Sequence, residues 1–130
     1  MQRRPAAVRK SQSFSGWAHR PLEGGTSGYA TSSIDSCRLH YTLSGDERAQ
    51  DKVLLIMGFA CCQGYWDPQL GRWGIATAHS SSPLSSSDFP MHVCTFDNRG
   101  VGASGRPLGA YTTRQMAVDA LSLLRQVGWT

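Results

Sequence analysis

The chain has 130 residues, enough for one domain and too few for two. Its balance of 40% hydrophobic and 17% charged residues is that of an ordinary folded domain, and its longest apolar run, Val53 to Cys62, is well short of the roughly 20 residues a membrane-spanning helix needs. The formal charge is +4, but the first 22 residues alone carry +5, from Arg3, Arg4, Arg9, Lys10 and Arg20 with no acid, and the remainder carries −1, so the basic balance belongs to a tail and argues against a nucleic-acid partner.

That tail is Arg-rich, contains serine and lacks acids, as organelle transit peptides do. Cytoplasm is the expected location of the chain, and the tail adds mitochondrion or plastid as alternatives. A disordered extension with a chance charge bias is the simpler reading of the same residues. Residues 1–36 are rich in Gly, Ser and Pro with no apolar period, which predicts a mostly unstructured segment, with the folded part in 37–130.

Structure is expected to begin at Cys37. "CRLHYTLSGD" puts Cys37, Leu39, Tyr41 and Leu43 on one face and Arg38, His40, Thr42 and Ser44 on the other, the period of a half-buried strand. His40 falls on the polar face and reads as a solvated side chain. Val53 to Met57 is a continuous apolar run ended by Gly58, as in a strand covered on both faces. Asp67 before Pro68 suits a helix start, with Trp66, Leu70 and Trp73 near one face and Gly71 and Gly74 keeping the helix short.

Residues 77–88 form a serine-rich loop, and "MHVCTFD" is the next strand. Thr112 and Gln115 then make a T-x-x-Q capping box. Met116, Ala117, Ala120, Leu121, Leu124 and Val127 recur at helical steps, and Gly128 stands where the helix should stop. Buried strands alternating with helices imply an α/β sheet with parallel pairing.

The four cysteines, Cys37, Cys61, Cys62 and Cys94, contain no C-x-x-C pair, and the four histidines are scattered. No metal site is expected, and the thiols read as free; a strained vicinal disulfide between Cys61 and Cys62 is the alternative.

"DNRGVGASG" contains G-x-G-x-x-G at Gly100, Gly102 and Gly105. A dinucleotide-binding turn needs those glycines directly after the strand and a helix opening within the motif. Here Asp97-Asn98-Arg99 intervenes and the helix waits until about Thr112, so the required context fails twice and no cofactor is expected.

The stretch from Phe96 to Trp129 instead resembles the segment after the fourth strand of the α/β-hydrolase fold, whose pattern is D-x-R-G-x-G-x-S-x-x-P. Asp97, Arg99, Gly100, Gly102, Ser104 and Pro107 fall on it. "VLLIMGFACCQGYWDPQL" is similar to that family's third strand and oxyanion loop, with Met57 where histidine is common, as in the esterase and lactonase branches. The resemblance covers about residues 37–130. It implies that Gly58 and Phe59 belong to the oxyanion loop, with the Phe59 amide as donor. It also implies that Asp97, Arg99, Gly100, Gly102 and Ser104 form a structural loop beside the active site, with Arg99 tying that loop through an ion pair or carbonyl contacts.

The family's chemistry needs a nucleophile on a G-x-S-x-G elbow, then an acid and a histidine in chain order. No G-x-S-x-G occurs in these 130 residues, so no catalytic triad residue is assigned and the triad is expected beyond Thr130. The expected function is therefore that of an amino-terminal fragment of a hydrolase acting on an ester, lactone or similar small molecule, inactive alone. A non-catalytic short α/β binding module is the second reading, and a dinucleotide binder the third. In the family's strand order the third strand lies between the fourth and fifth, so Val53 to Met57 is expected to be an open apolar edge that can pair with another chain.

Overall fold

A computed structural model of the chain describes residues 25–75 and 90–130. The basic tail through residue 24 and the serine-rich loop lie outside the described residues. The elements in chain order are β1 (Thr26–Thr31), β2 (Arg38–Gly45), β3 (Asp51–Leu55), a 3₁₀ turn (Gln63–Trp66) running into α1 (Asp67–Arg72), β4 (Met91–Phe96) and α2 (Thr113–Gln126).

The strands form one sheet in the order β1-β2-β4-β3. The alternation of strands and helices implied parallel pairing, and that holds only for β3 with β4; β1–β2 and β2–β4 are antiparallel. The reason is the connections. β1 and β2 are joined by a tight turn, closed by Ser32 N–H to the Cys37 carbonyl at 2.9 Å, which can only make a hairpin. The helix-bearing crossover that parallel strands need occurs only between β3 and β4.

β1 lies within residues 1–36, the segment expected to be mostly unstructured. Its sequence, TSGYAT, has little apolar signal, and Ala30 is its only buried position. What makes it a strand is a partner: Thr26 to Thr31 run antiparallel to Leu43 to Arg38 through the full backbone ladder.

Alternation along the strands divides the core into two layers. Ala30, Leu39, Cys94 and Phe96 face Ala120 and Leu123 of α2. Val93, with Val53 and Leu55, faces Leu70, Ile75, Trp66 and Trp73 around α1. Two of the polar positions of β2 are not solvated as their period suggested: Thr42 and Ser44 are buried, and the Thr42 hydroxyl lies 3.1 Å from that of Ser27. β3 is shorter than its apolar run, ending at Leu55. It is an edge strand of the described sheet, its apolar residues are half-buried, and Ile56 is exposed.

Both ends of α2 follow its sequence. Thr112 Oγ1 accepts from the Gln115 amide at 3.2 Å, and Gln115 Oε1 accepts from the Thr112 amide at 2.9 Å. At the far end Gly128 has φ +75°, its N–H reaches the Arg125 carbonyl, and Trp129 N–H reaches Leu124 at 2.9 Å, a Schellman closure. The buried face is rotated from the apolar periodicity. Asp119, Ala120, Ser122 and Leu123 are buried, whereas Leu121 is exposed. A carboxylate takes a core position because it meets a buried cation there.

Candidate functional site

The parallel strands β3 and β4 end side by side, Leu55 opposite Thr95. The segment after β3, residues 56–62, therefore runs beside the segment after β4, residues 97–105. Open α/β sheets bind their ligands at this carboxyl end of parallel strands.

The first segment carries Gly58 and Phe59. Phe59 is 89% exposed, and its amide donates to no described residue. A Cβ on Gly58 would meet nothing within 4 Å, so neighbouring described atoms do not require glycine there. Ala60 follows with φ +59°, left-handed backbone that costs a non-glycine residue about 1–2 kcal/mol. Such strain persists where the surroundings over-determine it. Cys61 and Cys62 are free and half-buried, so the vicinal disulfide is not formed.

The second segment is buried. Residues 97, 98 and 99 are an acid, an amide and a cation, each at most 4% exposed. Asp97 Oδ1 accepts from the Gln63 amide at 2.8 Å and Oδ2 from the Ala103 amide at 3.1 Å. Asn98 Nδ2 donates to the Met57 carbonyl at 2.9 Å. Ser104 Oγ donates to the Asp97 carbonyl at 2.6 Å and accepts from the His40 amide at 2.9 Å. Ser104 thus stitches the loop to β2.

Arg99 turns away from this edge into the molecule. Its Nε and a terminal nitrogen make two parallel bonds to Asp119, of 2.7 and 2.8 Å. Its other terminal nitrogen meets Asp35, in the β1–β2 turn, at 2.8 Å. The ion pair anticipated for Arg99 is therefore a double one, joining hairpin, loop and helix. Its hydrogen bond holds the Asp35 carboxyl below its ordinary range, while that of Asp119 pushes the guanidinium further up.

The glycines serve this folding of the loop. Gly102 has φ +53°, and a Cβ there would run into the Asp97 carboxylate; Gly100 has φ +80°, and a Cβ would run into the Tyr111 ring. Gly105 opens no helix, since α2 begins at Thr113. The anion-binding helix terminus of a dinucleotide turn is therefore not part of this motif.

Two residues of the site escaped the sequence reading. Gln63 has its amide on Asp97, its Oε1 accepting from Thr95 Oγ1 at 2.8 Å, and its Nε2 facing His40 Nδ1 at 2.7 Å. A donor at Nδ1 places the neutral ring's proton on Nε2. His40, read as solvated, is instead half-buried, 3.7 Å from Asp97 Oδ2 and stacked obliquely on Tyr29. The only sequence signal for either is position: Gln63 lies between the apolar run and the Asp-Pro helix start, where a fixed turn is needed. Among the described residues no cluster of three or more metal-ligating side chains exists, and no helix is long and apolar enough to cross a membrane.

No protein-family model matches the chain, and no curated protein sequence does. Solved structures do. An enol-lactonase from Burkholderia xenovorans LB400 superposes with TM-score 0.59 at 25% identity, covering 77% of this chain and 33% of that one. A hydrolase from Pseudomonas aeruginosa PA01 gives 0.60 at 26% identity, covering 78% and 32%. An esterase from Exiguobacterium antarcticum gives 0.62 at 17% identity, covering 81% and 33%. The chain spans about one third of the length of these enzymes. With its β1-β2-β4-β3 sheet and its two helices, the chain belongs to the α/β-hydrolase superfamily and carries the amino-terminal portion of that fold.

Proposed function

We propose that residues 56–62 are the oxyanion loop of a hydrolase acting on an ester, lactone or similar bond, with the Phe59 amide as a donor to the tetrahedral intermediate. The observation that carries this reading is the loop at the end of β3: an uncommitted Phe59 amide next to open space at Gly58, on backbone held in a left-handed turn at Ala60. A preorganised N–H of this kind is worth about 3 kcal/mol when charge develops on the carbonyl oxygen. Substrate would enter over the exposed side of the loop, where the Phe59 ring offers apolar surface. The nucleophile, acid and histidine are supplied by residues outside this sequence, because no G-x-S-x-G occurs within it.

The 130 residues alone are then inactive towards a generic ester such as p-nitrophenyl acetate. The transcript read onward from Thr130 is expected to encode a short β-branched run and then a G-x-S-x-G. The extended protein hydrolyses the ester, and replacing the elbow serine by alanine abolishes the activity. Turnover by the 130 residues alone, or a transcript that stops after Thr130 with no elbow, would sink the proposal.

A further inference from the structure

The exposed loop after β3 is tied at both ends by two consecutive residues of the other segment. Asn98 Nδ2 holds the Met57 carbonyl at 2.9 Å, where the loop leaves β3. Asp97 Oδ1 holds the Gln63 amide at 2.8 Å, where the 3₁₀ turn begins. Between those points the described backbone makes one weak internal bond, Cys61 N–H to the Gly58 carbonyl at 3.5 Å. The loop's own hydrogen bonding therefore does not account for the left-handed Ala60. Both clamping side chains are buried, and Asp97 is itself fixed by Ala103.

We propose that Asp97 and Asn98 are positioning residues for the loop between Met57 and Gln63, fixing its two ends so that the Phe59 amide points outward. The inference rests on the oxyanion reading for its catalytic meaning, but the clamp itself can be tested without it. Met57 and Gln63 are seven positions inclusive of the clamp points, and pinning both ends of so short a loop restricts its backbone strongly. A charge-assisted bond to Asp97 and a bond from the Asn98 amide are the restraints. Both side chains act through the backbone they hold.

The test uses amide hydrogen exchange and backbone chemical shifts of the 130-residue chain. Asn98→Ala removes one clamp and leaves Asp97, and Arg99→Lys serves as a control that loosens the molecule away from the loop. Asn98→Ala should speed exchange by about tenfold at the Cys61 amide, which donates to the Gly58 carbonyl inside the clamped loop, the effect of one ordinary hydrogen bond, and shift Ala60 out of its left-handed signature. Arg99→Lys should leave both unchanged. Equal acceleration throughout the sheet in Asn98→Ala, or no change at Ala60, would overturn the clamp. A second arm uses a protein extended through the nucleophile elbow, in which Asn98→Ala should lower kcat for an ester several-fold with KM little altered. A loop that loosens while kcat holds would leave the clamp standing and overturn the oxyanion reading instead.

Discussion

Arg99 grips Asp119 side-on, with two parallel bonds of 2.7 and 2.8 Å between side chains that are each about 1% exposed. The pair links the loop after β4 to the middle of α2, and the same guanidinium reaches Asp35, 64 residues upstream. Removing one partner of such a pair leaves a buried charge without compensation. Arg99→Ala should cost about 3–5 kcal/mol, read as a lower urea midpoint at constant slope. Arg99→Lys keeps the charge but loses the planar fork and should fall between Ala and the parent. A loss below about 1 kcal/mol for Arg99→Ala would show that the pair does not hold the fold.

Gly102 and Gly128 separate two reasons for a glycine. Both have positive φ, but a Cβ on Gly128 meets nothing within 4 Å, whereas one on Gly102 collides with the anchored Asp97 carboxylate. Gly128→Ala should therefore cost only the backbone term, about 1 kcal/mol. Gly102→Ala should cost clearly more and should also displace the Ala103 and Gln63 amide resonances. Equal costs at the two sites would refute the collision.

Stability should fall in two separate pH windows. Burial, reinforced by Lys52 with its Nζ 3.3 Å from the ring, lowers the His92 pKa. The unfolded chain therefore binds a proton there more readily, and stability is lost as pH falls below about 6.5. His92→Gln should flatten that part of a melting-temperature profile. Asp35 is shifted down by its bond to Arg99, so its contribution is complete above the ordinary carboxylate pKa and disappears as pH drops through and below about 4. Asp35→Asn should lower stability at neutral pH and flatten only the acid end.

The cysteines should divide into two pairs under alkylation. Burial pushes the Cys94 thiol up to about 12 and raises that of Cys37, so neither offers thiolate at neutral pH. Cys61 and Cys62 are partly exposed. Iodoacetamide at pH 8 should modify these two and spare the others until the chain unfolds, which intact-mass and peptide analysis can follow. Early modification of Cys94 would contradict its place in the core.

The local devices of this fold were legible in its sequence. The Thr112/Gln115 box, the Asp67-Pro68 start and the Gly128 stop each need only residues a few positions apart, and each is realised. β1 was not legible, because TSGYAT becomes a strand by pairing with β2 and not by its own pattern. The α2 face was misjudged at Leu121 because periodicity counts apolar residues, and the decisive core position is Asp119, occupied for the sake of Arg99. At the candidate site the D-x-R-G-x-G-x-S pattern marked the loop, but Asn98 grips the Met57 carbonyl and the Gln63 amide meets the Asp97 carboxylate, each across a long separation in sequence. No spacing rule within one element encodes such a contact.

The strand order carries a consequence for how the chain assembles. β2 finds β1 at once across a short turn, but its other neighbour is β4, and Leu43 must wait for Cys94. β3, made in between, has no place beside β2 and joins the sheet only by pairing with β4. During synthesis the hairpin therefore stands with one side open while Val53, Leu54 and Leu55 have no strand to lie against. Both vacancies close in a single event when β4 slots between them. That makes β4 the keystone of the sheet, and it makes the interval before its arrival the time when the nascent chain most needs shielding from its neighbours.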